Sequence, residues 1–155
     1  MKAAVAGAVA AVLLASSALA EPETLAFVRK GAQERGPDET AWGDVGHDRD
    51  RLDVLWDRYR QKGKPPAIAF DEKVAVVAGT GGSGSCPTRL HDLRLHRERG
   101  RVVVRVYTEA PPGDGGCTDD WVPKTFTVSV KRSDLKPLKP RAIDVRVRRI
   151  EDPDG

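Results

Sequence analysis

Two cysteines constrain this chain most: Cys86 and Cys117 each lie in a loop that borders a strongly alternating run. Between them, Leu90 to His96 and Arg101 to Glu109 read as strands joined by the turn Arg97-Glu98-Arg99-Gly100. Val102, Val104 and Val106 take one face of the second strand, and Val103, Arg105 and Tyr107 take the other. A hairpin brings the chain back to where it started, so residue 110 emerges near residue 86. The loop Pro111 to Pro123, which carries Cys117, begins there. Two loops leaving one end of a hairpin bring their Cα atoms within disulfide reach. Closing a loop of roughly 30 residues in this way contributes roughly 3.5 kcal/mol in the chain-entropy model. A free redox pair or a zinc site is the alternative, but the spacing is not C-x-x-C and no histidine stands at ligand spacing.

A disulfide calls for an oxidising compartment, and the N-terminus agrees. Met1-Lys2, an apolar run from Ala3 to Leu14 and the small-x-small site Ala18-Leu19-Ala20 have the form of a secretory leader cleaved after Ala20. Read instead as a membrane anchor, the run is marginally short and flanked wrongly. No cysteine sits at the cleavage point to accept a lipid. The expectation is a secreted, extracellular protein with no stable membrane insertion. Residues 21–150 form one domain and 151–155 a disordered tail. Losing Lys2 leaves basic side chains in slight excess over the 23 acidic ones, and the two signs are interleaved. The charge balance therefore gives no reason to expect a nucleic-acid partner.

Only 5% of residues are aromatic, so the core must rest on Val, Leu and Ile. Thr24 to Lys30 suits a first strand with Leu25 and Phe27 in step, Gly31 to Asp38 a loop, and Glu39 to Val45 a short strand carrying Trp42. Asp48 to Lys62 is the one helix. Leu52, Leu55, Trp56 and Tyr59 make a single stripe, Asp48 or Asp50 caps it, and Gly63 ends it ahead of Pro65-Pro66. The stripe reads as packing against a sheet rather than as a ligand-stacking face. Lys73 to Ala78 is a continuous apolar run that suits a strand buried on both faces. Lys124 to Arg132 alternates Phe126, Val128 and Val130 with Thr125, Thr127 and Ser129; Ala142 to Ile150 alternates Ile143, Val145 and Val147 with Asp144, Arg146 and Arg148. The fold class is α+β: a mostly antiparallel sheet or small sandwich, one covering helix and one disulfide.

Motifs that would carry chemistry are scarce. Gly79 to Ser85 lacks the lysine of a phosphate-binding loop and the G-x-S-x-G of a nucleophile elbow. Its glycines read as backbone freedom beside a disulfide, where φ > 0 is often needed. His91 shares strand parity with Leu93 and Leu95, whereas His96 faces the other way, and His47 is isolated. Asp114, Asp119 and Asp120 fit a solvated acidic loop better than calcium, since their spacing matches no EF-hand. Basic residues crowd 131–149, Arg146 and Arg148 among them; they read as charge protecting an edge strand, or else as a patch for an acidic partner or anionic polymer. Trp121 reads as packing over the bridge or as an exposed anchor for a partner.

From Trp56 onward the order of motifs resembles the C-terminal domain of the PrcB protease-complex-subunit family. Leu55-Trp56, Pro66-Ala67-Ile68-Ala69-Phe70, Val74 to Ala78, Gly79 to Gly84, Arg101 to Thr108 and Pro123 to Arg132 follow in the family's order over about half the chain. Ala69 stands where the family tends to have Asp, and Cys86-Pro87 replaces an aromatic. The resemblance implies a non-catalytic accessory that assists a secreted protease. The alternative expectation is a small-ligand or cell-wall-polymer binder using Trp121, Tyr107, Asp119, Asp120 and the basic strand. No cofactor, metal or catalytic group is expected; a hydrolase would need a carboxylate or Ser joined to His91.

Overall fold

The computed structural model describes residues 20–109, 113 and 115–151, so all of the expected leader but Ala20, together with Asp114 and most of the C-terminal tail, lies outside the described residues. Among the described residues, eight strands form two four-stranded sheets. The first contains β1 (Glu23–Thr24), β5 (Thr88–His96), β6 (Arg101–Thr108) and β8 (Asp144–Ile150), in that spatial order. The second contains β2 (Val28–Gln33), β7 (Val122–Lys131), β4 (Lys73–Gly82) and β3 (Ala41–Gly46), in that order. All pairings are antiparallel except that β8 runs parallel to β6. The small-sandwich expectation therefore holds, with one sheet mixed.

Side-chain alternation builds the core between the sheets. Leu90, Leu93, Leu95, Val102, Val104 and Val106 from one sheet meet Val74, Val76, Ala78, Phe126, Val128 and Val130 from the other. The second sheet is buried on its outer face as well, by α1 (Arg49–Arg58), where Leu52, Leu55, Trp56 and Tyr59 pack on Ala75 and Val77. Burying each such large side chain contributes about 1.5–3 kcal/mol. This double coverage explains the unbroken apolar run of β4.

Helix α1 is capped at its N-terminus by Asp48, which accepts from the Arg51 N–H at 2.8 Å. It ends four residues before the expected Lys62. Arg60 adopts the left-handed conformation with φ 56°, its N–H bonding to the Asp57 carbonyl at 3.0 Å and the Gln61 N–H to the Trp56 carbonyl at 2.9 Å. That pair of bonds is a Schellman closure with Arg60, not Gly63, in the position glycine favours. Gly63 instead turns the chain back, and its carbonyl accepts from Trp56 Nε1 at 3.0 Å.

Four further expectations are corrected. The strand expected over Thr24 to Lys30 is divided between the sheets: the chain crosses at Leu25 to Phe27, and both side chains plug the sandwich edge. Gly31 to Gln33, expected in a loop, belongs to β2 beside a bulge. Another bulge, between Leu90 and Asp92, undoes the parity argument for His91, which shares the outer face with Tyr107, their rings edge to face at 6.3 Å. Leu90 and Leu93 consequently both point inward.

The last correction concerns the Gly-rich segment. Gly79 to Gly82 does not break β4 but continues it, paired with Thr125 to Val122 of β7. The glycines with positive φ among the described residues are Gly63, Gly100 and Gly113, none of them in this segment. A Cβ on Gly79 would stand 2.5 Å from the Trp42 ring and 2.3 Å from the Lys124 carbonyl oxygen; one on Gly81 would stand 1.9 Å from the Trp121 ring. The strand lacks side chains at Gly79 and Gly81 because two indoles occupy their place.

Candidate functional site

The cysteine loops meet as the hairpin geometry requires. Cys86 and Cys117 are bonded, with Cα atoms 5.4 Å apart, and Cys86 is fully buried. Hydroxyls reinforce the bridge: Thr118 Oγ1 lies 2.8 Å from Ser83 Oγ and 3.0 Å from Ser85 Oγ. Asp120 accepts the Gly84 N–H at 3.1 Å as well as the Thr118 hydroxyl. These bonds, the Thr118 hydroxyl foremost, hold the Asp120 carboxyl below its usual range. Among the described residues no hydrogen bond joins any of these hydroxyls to an imidazole.

The more heavily charged surface lies on the outer face of the sheet made by β1, β5, β6 and β8. Strand parity and register set side chains there in rows: His96, Arg101 and Asp144; Arg94, Val103 and Arg146; Asp92, Arg105 and Arg148; then Arg89, Tyr107 and Ile150. Neighbours in a row are about 4.8 Å apart and successive rows about 7 Å. A shallow groove of about 640 Å³ runs along them, lined by Arg94, Arg99, Arg101, Arg105, Arg146 and Arg148.

Two carboxylates organise these guanidinium groups. Asp92 accepts from Arg105 Nε at 2.6 Å and Arg105 Nη2 at 2.5 Å, a bidentate pair, and from Arg94 Nε at 2.9 Å. Asp144 accepts from Arg101 and Arg146, each at 2.9 Å. Burial opposes charge on Asp92, yet the Arg105 hydrogen bonds and the charges of Arg105 and Arg94 outweigh it and lower its pKa. The Arg146 hydrogen bond lowers that of Asp144, and the Asp92 hydrogen bond raises that of Arg105. Arg99 and Arg148 have no carboxylate within 4.0 Å among the described residues. Six cations against two anions leave a local excess of four charges.

No family model, curated protein or solved structure matches this chain. The resemblance to the PrcB family thus rests on residue order alone.

The structure separates the residues expected to act together. Tyr107, Arg146 and Arg148 share the arginine-lined face, whereas Trp121, Asp119 and Asp120 line a cleft at the disulfide end. Trp121 packs over Gly81 and is half exposed. Strand β8 is an edge strand, as the charge-protection reading requires. No cluster of three or more His, Cys, Asp or Glu side chains able to hold a metal occurs among the described residues, and no helix there is long and apolar enough to cross a membrane. Sequence reasoning alone does not single out Arg94, Arg99, Arg101 and Arg105. The signal was present in the hairpin register, which sets Arg94 and His96 of β5 beside Val103 and Arg101 of β6.

Proposed function

We propose that this protein is a secreted, non-catalytic binding domain that holds an anionic polymer against the outer face of the sheet formed by β1, β5, β6 and β8. The observation that carries this reading is the excess of four positive charges in one groove, with most guanidinium groups already fixed by Asp92 and Asp144. A guanidinium presents a planar fork of donors to phosphate, sulfate or carboxylate oxygens. Because the two aspartates orient the forks beforehand, little side-chain freedom is left to lose on binding. The leader-like N-terminus and the disulfide support an extracellular setting.

Fluorescently labelled polyphosphate is the probe, titrated by anisotropy at several salt concentrations. With about four charges neutralised, log K should fall with log salt at a slope of about −3. Arg99→Glu with Arg148→Glu removes the excess without breaking an ion pair among the described residues, and should weaken binding by at least a hundredfold at low salt. Matching urea midpoints for variant and parent would confirm an unchanged fold. Equal affinity in the double variant, or no binding by the parent at 50 mM salt, would sink the reading.

A further inference from the structure

The cleft at the disulfide end is built differently, and we infer that it is a carbohydrate subsite in which Trp121 stacks against the apolar face of a neutral sugar ring. Trp121 is 52% exposed, an unusual state for the largest apolar side chain. Its ring is nonetheless firmly supported: it fills the space left by the missing Gly81 side chain. The loop that carries it is tied down by the Cys86–Cys117 bond and by Asp120 on the Gly84 N–H. Arg149 Nη2 donates to the Gly81 carbonyl at 2.6 Å and braces the strand at the edge of the cleft. The indole is therefore presented already ordered, which lowers the cost of binding.

The surroundings select the ligand class. A cleft of about 400 Å³ is lined by Trp121 together with Ser83, Thr118, Asp119, Asp120 and Arg149. That volume is at the lower end of small-ligand sites. A pyranose offers C–H groups on one face and hydroxyls around its rim, so the indole takes the first while carboxylates and hydroxyls take the second. An apolar peptide side chain would bury the cleft's polar groups without partners. A nucleotide would set its phosphates against Asp119 and Asp120, two carboxylates against the single guanidinium of Arg149, which already donates to the Gly81 carbonyl. Asp119 makes no ion pair among the described residues, so its carboxylate is free to accept sugar hydroxyls.

The test uses the whole disulfide-bonded protein and soluble trimers of N-acetylglucosamine and of glucose, followed by acrylamide quenching of tryptophan fluorescence. Trp42 and Trp56 are buried, so the quenchable signal reports Trp121. At least one trimer should protect Trp121 saturably at millimolar concentration, with no dependence on salt. Trp121→Ala should weaken binding, read by ligand-observed NMR, at least tenfold. Trp121→Phe should keep it within about threefold, and Asp119→Ala should weaken it severalfold with an unchanged urea midpoint. Arg99→Glu with Arg148→Glu should leave it unaltered, so this inference and the polyanion reading fail separately. Inert trimers, or binding that survives Trp121→Ala, would overturn it.

Discussion

Replacing Gly79 by alanine tests why the Gly-rich segment is glycine at all. If backbone freedom were the reason, alanine would cost little here, because Gly79 lies in a regular ladder opposite Thr125 and its φ is not positive. If space is the reason, the added Cβ meets the Lys124 carbonyl at 2.3 Å and the Trp42 ring at 2.5 Å. A backbone carbonyl in the centre of a sheet cannot swing aside. Overpacking of this kind costs about 1–3 kcal/mol. Displacing Trp42 also breaks its Nε1 hydrogen bond to Thr125 Oγ1, 3.1 Å long and buried, which adds about 1 kcal/mol. The sum, about 2–4 kcal/mol, should lower the urea midpoint by about 1–2 M at an m-value of about 2 kcal/mol/M. Gly31→Ala is the control, since its Cβ would have no neighbour within 4 Å and its φ is likewise not positive. That change should stabilise by about 0.4–1 kcal/mol through the unfolded chain. In a Trp42→Ala background the Gly79 penalty should shrink, and what remains belongs to the Lys124 carbonyl. A Gly79→Ala midpoint within error of the parent would refute the steric account.

Two other expectations follow from particular contacts. Asp92 has a folded pKa below its unfolded value, so its contribution to stability is present above the unfolded pKa and is lost as pH falls from about 4 toward the folded pKa. Asp92→Asn should flatten the stability-versus-pH curve in that acidic window, lower stability at neutral pH by removing the anchor of Arg94 and Arg105, and steepen the salt dependence of polyphosphate binding by adding one to the local charge excess; urea unfolding from pH 2.5 to 7 and anisotropy check both effects. Arg60→Gly should stabilise by about 1 kcal/mol, the usual cost of a left-handed residue with a Cβ, because the exposed Arg60–Asp38 pair that is lost at 3.2 Å is worth little; a lowered urea midpoint would contradict this.

Much of the fold was legible because burial on one face writes a period of two into a strand. Val102, Val104 and Val106 fixed the inward face of β6, and the short turn to Gly100 fixed its hairpin partner. From that pairing alone the disulfide followed. What stayed hidden were features with no periodic trace. The bulge at His91 inserts one residue and reverses parity, and nothing in the local composition marks it. The crossing at Leu25 to Phe27 keeps an apolar alternation although it no longer belongs to one strand, because both side chains still find core. Glycine was the most misleading residue. At Gly79 and Gly81 it records the approach of Trp42 and Trp121, which are 37 and 40 residues away in sequence, and only tertiary contact reveals that.

The candidate surfaces follow the same logic. Arg146 and Arg148 were visible as charges that alternate along one strand, but a single strand cannot say whether its charges are isolated or part of a field. The answer depends on which strand lies beside β8, and the parallel partner β6 comes from 43 residues earlier in the chain. Only then do Arg101 and Arg105 join Arg146 and Arg148, and Asp92 and Asp144 become the groups that orient them. An edge strand needs charge merely to discourage self-pairing, and scattered lysines would serve. Bidentate carboxylate pairing on the neighbouring strands goes beyond that need, since it fixes guanidinium groups on the outer face of the sheet. Protection of an edge from self-pairing accounts for β8 alone, whereas the proposed anion binding would account for the arginines of β5, β6 and β8 together.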